Sequence, residues 1–202
     1  MPLTTDVWTD EAAERFWTSA TVVTLIRTIA SLGLVLVAAH EKSLELLVIA
    51  LAVYWIGDTL DGAVARWRNC ETRIGAVTDM LCDRLNCAGF YLGLAWLKPI
   101  MAWPVALYLF EFMVIDLFLS LAFLAWAVRS PNYFYAVDHR IWQLNWSKPA
   151  KAVNSGLFAI MLLVTNSWLL GVVIGIGLNI LKIHSLARLL KLGLPVPARP
   201  AV

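Results

Sequence analysis

Apolar stretches of about 20 residues recur along almost the whole chain, each long enough to cross a hydrocarbon layer of roughly 30 Å. Polar breaks separate them at His40-Glu41-Lys42-Ser43, Arg68-Asn69-Cys70-Glu71, Lys98-Pro99, the long stretch 129–148 and Asn166-Ser167. The pattern predicts six membrane-spanning helices, at 19–39, 44–66, 73–97, 100–128, 150–167 and 169–190. The last break is short, and a five-span reading runs one helix through it. Ahead of the first span, Trp8, Ala12 and Phe16 share one helical face, so residues 1–18 are expected as an amphipathic helix lying on the membrane surface. The expected fold class is therefore an all-α integral membrane protein, a six-transmembrane-helix bundle with an N-terminal interfacial amphipathic helix. Its expected divisions are that segment (1–18), the membrane domain (19–190) and a tail (191–202).

Composition agrees with this class. Hydrophobic residues make up 60% and charged residues 15% of the chain, and the mean hydropathy is +0.74. A net charge of +2 and the lack of basic runs interleaved with aromatics argue against a nucleic-acid partner and leave the lipid bilayer as the surroundings. Cys70, Cys82 and Cys87 show no C-x-x-C pairing and read as packing residues. Asp6, Asp10, Glu11 and Glu14 stand where a secretory signal would be positive. With both termini on one side, that side collects Arg15, Arg27, Arg66, Arg68, Arg73, Arg129, Arg140, Lys148, Lys151, Lys182, Arg188, Lys191 and Arg199, against only Lys42 and Lys98 opposite. The positive-inside rule then puts both termini in the cytoplasm. Tryptophans at span ends fit interfacial belts, and the aromatic-rich 129–148 stretch reads as a segment resting in the interface.

One part of the pattern breaks the apolar rule. Asp58, Asp61, Asp79 and Asp83 lie inside the second and third predicted spans. An ionised aspartate at mid-bilayer costs roughly 2.5–3.5 kcal/mol on insertion scales, so this group needs compensation. Asp58 and Asp61 are i,i+3 and Asp79 and Asp83 are i,i+4, so each pair shares a helical face. A short loop makes the two helices antiparallel neighbours, and the pairs converge near the cytoplasmic side. Carboxylate oxygens are the ligands that Mg²⁺ and Mn²⁺ prefer, and four of them can hold two divalent cations. Gly62 and Gly75 leave room for a ligand beside the cluster, and Arg66 and Arg73 supply charge suited to phosphate oxygens. The combination points to phosphoryl or phosphatidyl transfer. Ion pairing of the aspartates with Arg66, Arg73 and Arg84 is a purely structural alternative, which leaves the spacing and the glycines without a reason. An ion-coupled transporter is another, but no second acidic cluster marks the C-terminal half.

At these residues the chain resembles the CDP-alcohol phosphotransferase family, whose signature is D-x2-D-G-x2-A-R-x8-G-x3-D-x3-D. Asp58, Asp61, Gly62, Ala65, Arg66, Gly75, Asp79 and Asp83 match every position and spacing. The resemblance implies transfer of a phosphatidyl group from CDP-diacylglycerol to an alcohol acceptor, with release of CMP. It implies that Asp58, Asp61, Asp79 and Asp83 bind two divalent cations, Mg²⁺ or Mn²⁺, and that Asp83 is the general base. Gly62, Ala65, Arg66 and Gly75 would contact the CDP moiety, and the protein would be a homodimer.

The acceptor half is less sharply written. Its candidates are Lys148, Lys151, Asp116 and Arg188, with Arg27, Glu111, Lys182 and His184 beside them. Lys148 and Lys151 are i,i+3 at a helix start, where backbone N–H groups also meet a phosphate. Asp79-Met80-Leu81-Cys82-Asp83-Arg84 and Ser147-Lys148-Pro149-Ala150 resemble segments of phosphatidylinositol synthases, which favours inositol or a related polyol. Phosphatidylglycerophosphate synthases are the close rival. A fourth-helix arginine that would meet glycerol 3-phosphate is missing between Phe110 and Arg129. Serine, choline and phosphatidylglycerol stay open as acceptors.

Overall fold

The computed structural model describes residues 7–195, and these are helical wherever they are regular, apart from one isolated backbone bridge between Trp8 and Val128. Three long helices come first: α1 (Ser19–Glu41), α2 (Leu44–Trp67) and α3 (Arg73–Leu97). A fourth, α4 (Pro99–Ala125), contains a wide π turn at Glu111–Asp116. A short α5 (His139–Asn145) leads into α6 (148–165) and α7 (Trp168–Leu192). Four of these, α1, α2, α4 and α7, are long and apolar enough to cross a membrane. Helix α3 carries Asp79, Asp83 and Arg84 in its middle, and α6 opens with a polar turn followed by a π turn, Ala152–Leu157. Both pack with the apolar four, α3 against α1, α2 and α4, and the second half of α6 against α7.

Helix starts follow the local chemistry closely. Thr18, Ser43, Thr72, Asp138, Ser147 and Ser167 each accept a backbone N–H three residues on, satisfying one of the donors that a helix start leaves unpaired. Helix α4 starts on Pro99, whose missing N–H costs nothing there. Between α2 and α3 the chain turns through Asn69 in the left-handed region (φ 48°), and Cys70 N–H closes the turn on Ala65 O at 3.0 Å. This tight reversal makes α2 and α3 antiparallel neighbours.

The N-terminal segment differs from expectation. Its described part, residues 7–18, is extended chain with one 3₁₀ turn, Glu11–Ala13, instead of an amphipathic helix. Residues 7–9 run antiparallel to 127–129, with Thr9 N–H bonding Ala127 O at 2.8 Å and Arg129 N–H bonding Val7 O at 3.1 Å. Pairing with this loop satisfies backbone groups that a surface helix would satisfy internally; Asp10 caps the start of the single turn, and extended backbone at Glu14 ends it. Residues 1–6 of that segment and 196–202 of the tail lie outside the described residues.

Two apolar clusters bracket the polar level of the bundle. One joins Leu47, Tyr54, Phe90, Tyr91, Leu94, Tyr108, Phe158 and Leu162 across α2, α3, α4 and α6. Tyr108 stacks on Phe158 at 4.6 Å between ring centroids. The other gathers Met80, Leu119, Phe123, Phe134, Ile141, Trp146 and Leu189, and so packs the 126–147 loop beneath the helix ends. Along the chain, Asp58, Asp61 and Asp79 fall between Tyr54 of the first cluster and Met80 of the second.

Candidate functional site

The α2–α3 reversal brings the two aspartate pairs together. Ligand oxygens of Asp58, Asp61 and Asp79 lie within 4.8 Å of one another. Asp83 joins them through a fifth residue, Arg27 of α1. Its Nε donates to Asp61 at 2.7 Å, and its Nη2 reaches Asp79 at 2.6 Å, Asp83 at 2.9 Å and Asp58 at 3.4 Å. Thr24, one turn earlier on α1, donates its hydroxyl to Asp61 at 2.8 Å. The counter-charge thus comes from the first helix, and not from Arg66, Arg73 or Arg84 as the purely structural alternative would have it. Arg73 donates to the carbonyl of Leu124 at 2.6 Å, and Arg84 pairs with Asp116.

Two cavities meet at this cluster. One, of about 550 Å³, is lined by Thr21, Thr24, Asp61, Gly62, Ala65, Arg66 and Gly75, so the four residues expected to contact CDP lie around one space. Gly75 fits its place tightly. A Cβ there would come within 2.8 Å of the Thr72 hydroxyl that caps α3 and face the Thr21 hydroxyl at 3.8 Å. The other cavity, of about 950 Å³, is lined by Asp58, Asp83, Arg84, Glu111, Asp116, Asn145, Lys151, Asn154 and Lys182. Ala76, Asp79, Ser130 and Asn132 line both and form a shared wall.

Of the residues expected at the acceptor, Lys151 and Asp116 line the second cavity, whereas Lys148 and Arg188 do not. Lys148 is exposed. Arg188 reaches Asp138 at 3.1 Å, a carboxylate that also caps α5 by accepting Ile141 N–H at 2.8 Å. Partial burial raises the Asp138 carboxyl, but the Ile141 N–H and Arg188 outweigh it and hold the group below the usual carboxylate range. Asp116 accepts from Lys182 at 2.6 Å and from Arg84, with Ser120 and Glu111 alongside. Buried atoms left without a hydrogen-bond partner concentrate here. They include Arg84 Nε, one oxygen of Glu111, the Ser130 hydroxyl and the side-chain carbonyls of Asn145 and Asn154. Asn145, Asn154 and Ser130 carry no charge and no motif, so the sequence singles none of them out.

The shared wall has two sides, Ala76 and Asp79 on α3 and Ser130 and Asn132 on a strap that the surrounding chain holds down. Asn132 O accepts from the Trp142 indole N–H at 2.8 Å, and Tyr133 donates to Glu71 of the α2–α3 turn at 2.6 Å. Burial and then the Glu71 hydrogen bond raise the Tyr133 phenol well above its ordinary value, so it stays a donor at neutral pH.

A sequence model of the CDP-alcohol phosphatidyltransferases matches residues 17–183, from the Thr18 cap of α1 into α7. The chain belongs to this family. Among curated relatives, the phosphatidylinositol phosphate synthase of Mycolicibacterium smegmatis is 42% identical over 48 residues, 24% of this chain and 22% of that protein. The proteins of the same name from Mycobacterium tuberculosis strain H37Rv and Mycobacterium marinum are 37% identical over 75 residues and 39% over 74. Each of these two stretches covers 37% of this chain, and they cover 35% and 32% of the respective relatives. The aligned parts thus span about a third of those relatives or less. No solved structure matches the chain.

CDP-alcohol phosphatidyltransferases generally depend on divalent metal. The residues present fit such an ion. The donors are all carboxylate oxygens, the set that hard divalent cations take. A guanidinium already occupies the middle of the cluster as a cationic stand-in, held by the same oxygens.

Proposed function

We propose that this CDP-alcohol phosphatidyltransferase transfers the phosphatidyl group of CDP-diacylglycerol to an inositol-type acceptor, releasing CMP. One observation carries the reading. The carboxylate cluster stands where two cavities meet, with the four CDP-contact candidates around one and Asp83 on the other. Donor and acceptor can therefore meet at the carboxylates from separate spaces.

In this reading Gly62, Ala65 and Gly75 leave space for cytidine, and Arg66 meets diphosphate oxygens. Asp58, Asp61, Asp79 and Asp83 would hold two divalent cations, Mg²⁺ or Mn²⁺, which neutralise diphosphate charge when bound. Asp83 takes the proton of the acceptor hydroxyl. The hydroxyl oxygen forms the new bond to the phosphatidyl phosphorus, the phosphorus–oxygen bond to CMP breaks, and CMP leaves with that electron pair.

The polyol assignment draws on the second cavity. Hydroxyl groups both donate and accept, and the unpartnered Asn145, Asn154, Ser130, Glu111 and Arg84 atoms supply both complements. Lys151 and Asp116 remain acceptor-side residues, whereas Lys148 is set aside for its exposure outside the cavity and Arg188 for its pairing with Asp138. The names of the relatives point to the same acceptor class. We further read α3 and α6 as the fifth and sixth spans, with both termini and the site facing the cytoplasm.

The test is CMP release by purified protein supplied with CDP-diacylglycerol and Mg²⁺ or Mn²⁺. The acceptors compared are inositol, inositol phosphate, glycerol 3-phosphate, serine and phosphatidylglycerol. The highest rate is expected with inositol or its phosphate. Preference for glycerol 3-phosphate would overturn the acceptor, and metal-driven flux without CMP would overturn the enzyme.

A further inference from the structure

Arg27 is housed with unusual care for a residue outside the signature. Its side chain is 3% exposed, yet it lies in an otherwise apolar helix long enough to span a membrane. Room for its stem is made by Gly57 of α2, where a Cβ would come within 2.5 Å of Arg27 Cβ and 2.7 Å of its Cδ. The ring of Tyr54 lies 5.2 Å from its guanidinium carbon. All four carboxylates lie within 3.4 Å of it, while Nη1, also buried, has no hydrogen-bond partner. The position of the guanidinium is therefore set by the carboxylates.

Resting on the reading of this cluster as a divalent-cation site, we propose that Arg27 is a resident counter-cation. It keeps the four aspartates converged while no divalent cation is bound, and it competes with that cation for their oxygens. The charge balance requires something of this kind. Four carboxylates drawn together repel one another, and Asp61, whose side chain is 4% exposed, has little water to screen it. A guanidinium stays protonated at any working pH, so it holds the cluster permanently and yields only by moving its side chain. Its reach from Asp61 on α2 to Asp79 and Asp83 on α3 also ties the first helix to the other two. Arg27 is thus a positioning residue, acting through the carboxylates.

The two roles predict that removing the charge makes the metal-free protein less stable and its hold on the metal tighter. Purified full-length protein in detergent is heated with increasing Mn²⁺, comparing wild type, Arg27→Met and Arg27→Lys. Removing the counter-charge in Arg27→Met should lower the midpoint temperature without metal. It should also reduce the Mn²⁺ concentration giving half-maximal stabilisation by at least about tenfold, since a like charge within a few ångströms is removed. Arg27→Lys keeps a charge but cannot bridge both helices, and should fall between. A purely structural arginine would lower the midpoint temperature equally at every Mn²⁺ concentration. An unchanged or raised half-saturating concentration, in either variant, overturns the proposal while leaving the metal site standing. Should Arg27→Met fail to fold, Arg27→Lys carries the same comparison. A wild type that Mn²⁺ does not stabilise overturns the cation site itself and the proposal with it.

Discussion

Asp116 accepts from two buried cations, Lys182 on α7 and Arg84 on α3, and so joins three helices through one carboxylate. Truncating it as Asp116→Ala would strip Arg84 of its carboxylate and leave buried Lys182 with Glu111, 4.0 Å away, as its counter-charge, a change that costs about 3–5 kcal/mol. The expected result is a large fall in the detergent midpoint temperature, whereas Lys148→Ala, an exposed site, should leave it within the measurement error. Asp83→Asn keeps the shape of the side chain but cannot take a proton. CMP release should drop by roughly 10²–10⁴-fold, and near wild-type turnover would remove Asp83 from the base role. The aspartates were readable because intramembrane charge is anomalous and helical spacing says which charges share a face. Arg27 was equally anomalous, but spacing within one helix does not say which neighbour that face meets. It stood among the acceptor candidates for that reason, and Arg188 did so because its partner Asp138 lies 50 positions away. Asn145 and Asn154 carry no sequence signal, since their importance comes from lacking a partner in a cavity.

Among the elements, the long helices and their starts were legible from apolar runs and from the Ser and Thr caps, each a local signal. The π turn in α4 was not. Glu111 and Asp116 are five apart, which on an α-helix of 3.6 residues per turn points them well away from each other. A turn closing i→i+5 brings both toward the second cavity, and nothing in the sequence announces it. The N-terminal segment failed as a helix because its backbone partner, 127–129, is more than a hundred residues distant. Helix α5 offers a test of local chemistry. Asp138 both caps it and pairs with Arg188, and its folded carboxyl titrates below the usual range. A depressed carboxylate stabilises the fold fully above its unfolded pKa of about 3.9 and loses that contribution as pH falls through the folded value. Hydrogen exchange in 139–145 should therefore be insensitive to this group at neutral pH and lose protection only in acid. Asp138→Ala should lose about 1 kcal/mol of local protection at pH 7, the usual cost of a removed cap.

On the scale of the whole molecule, the apolar faces of α1, α2, α4 and α7 place the chain in a membrane, and the orientation proposed from the charge asymmetry is open to a direct test. Single cysteines report that orientation well, because Cys70, Cys82 and Cys87 are buried. In sealed right-side-out vesicles an impermeant maleimide should label Lys42→Cys directly and Lys191→Cys only after lysis; the opposite order would invert the topology. The second cavity, which we propose as the acceptor space, is lined from α2, α3, α4, α6, α7 and the loop before α5 by long-range packing that no short pattern encodes. The wall of Ala76, Asp79, Ser130 and Asn132 common to both cavities has a further consequence for ligands. Two compartments a single residue apart can be filled by one compound, a cytidine diphosphate tethered to a cyclic polyol. Its second half would bind at the effective concentration its linker sets, about millimolar for a short flexible one, so its avidity would exceed that of either fragment.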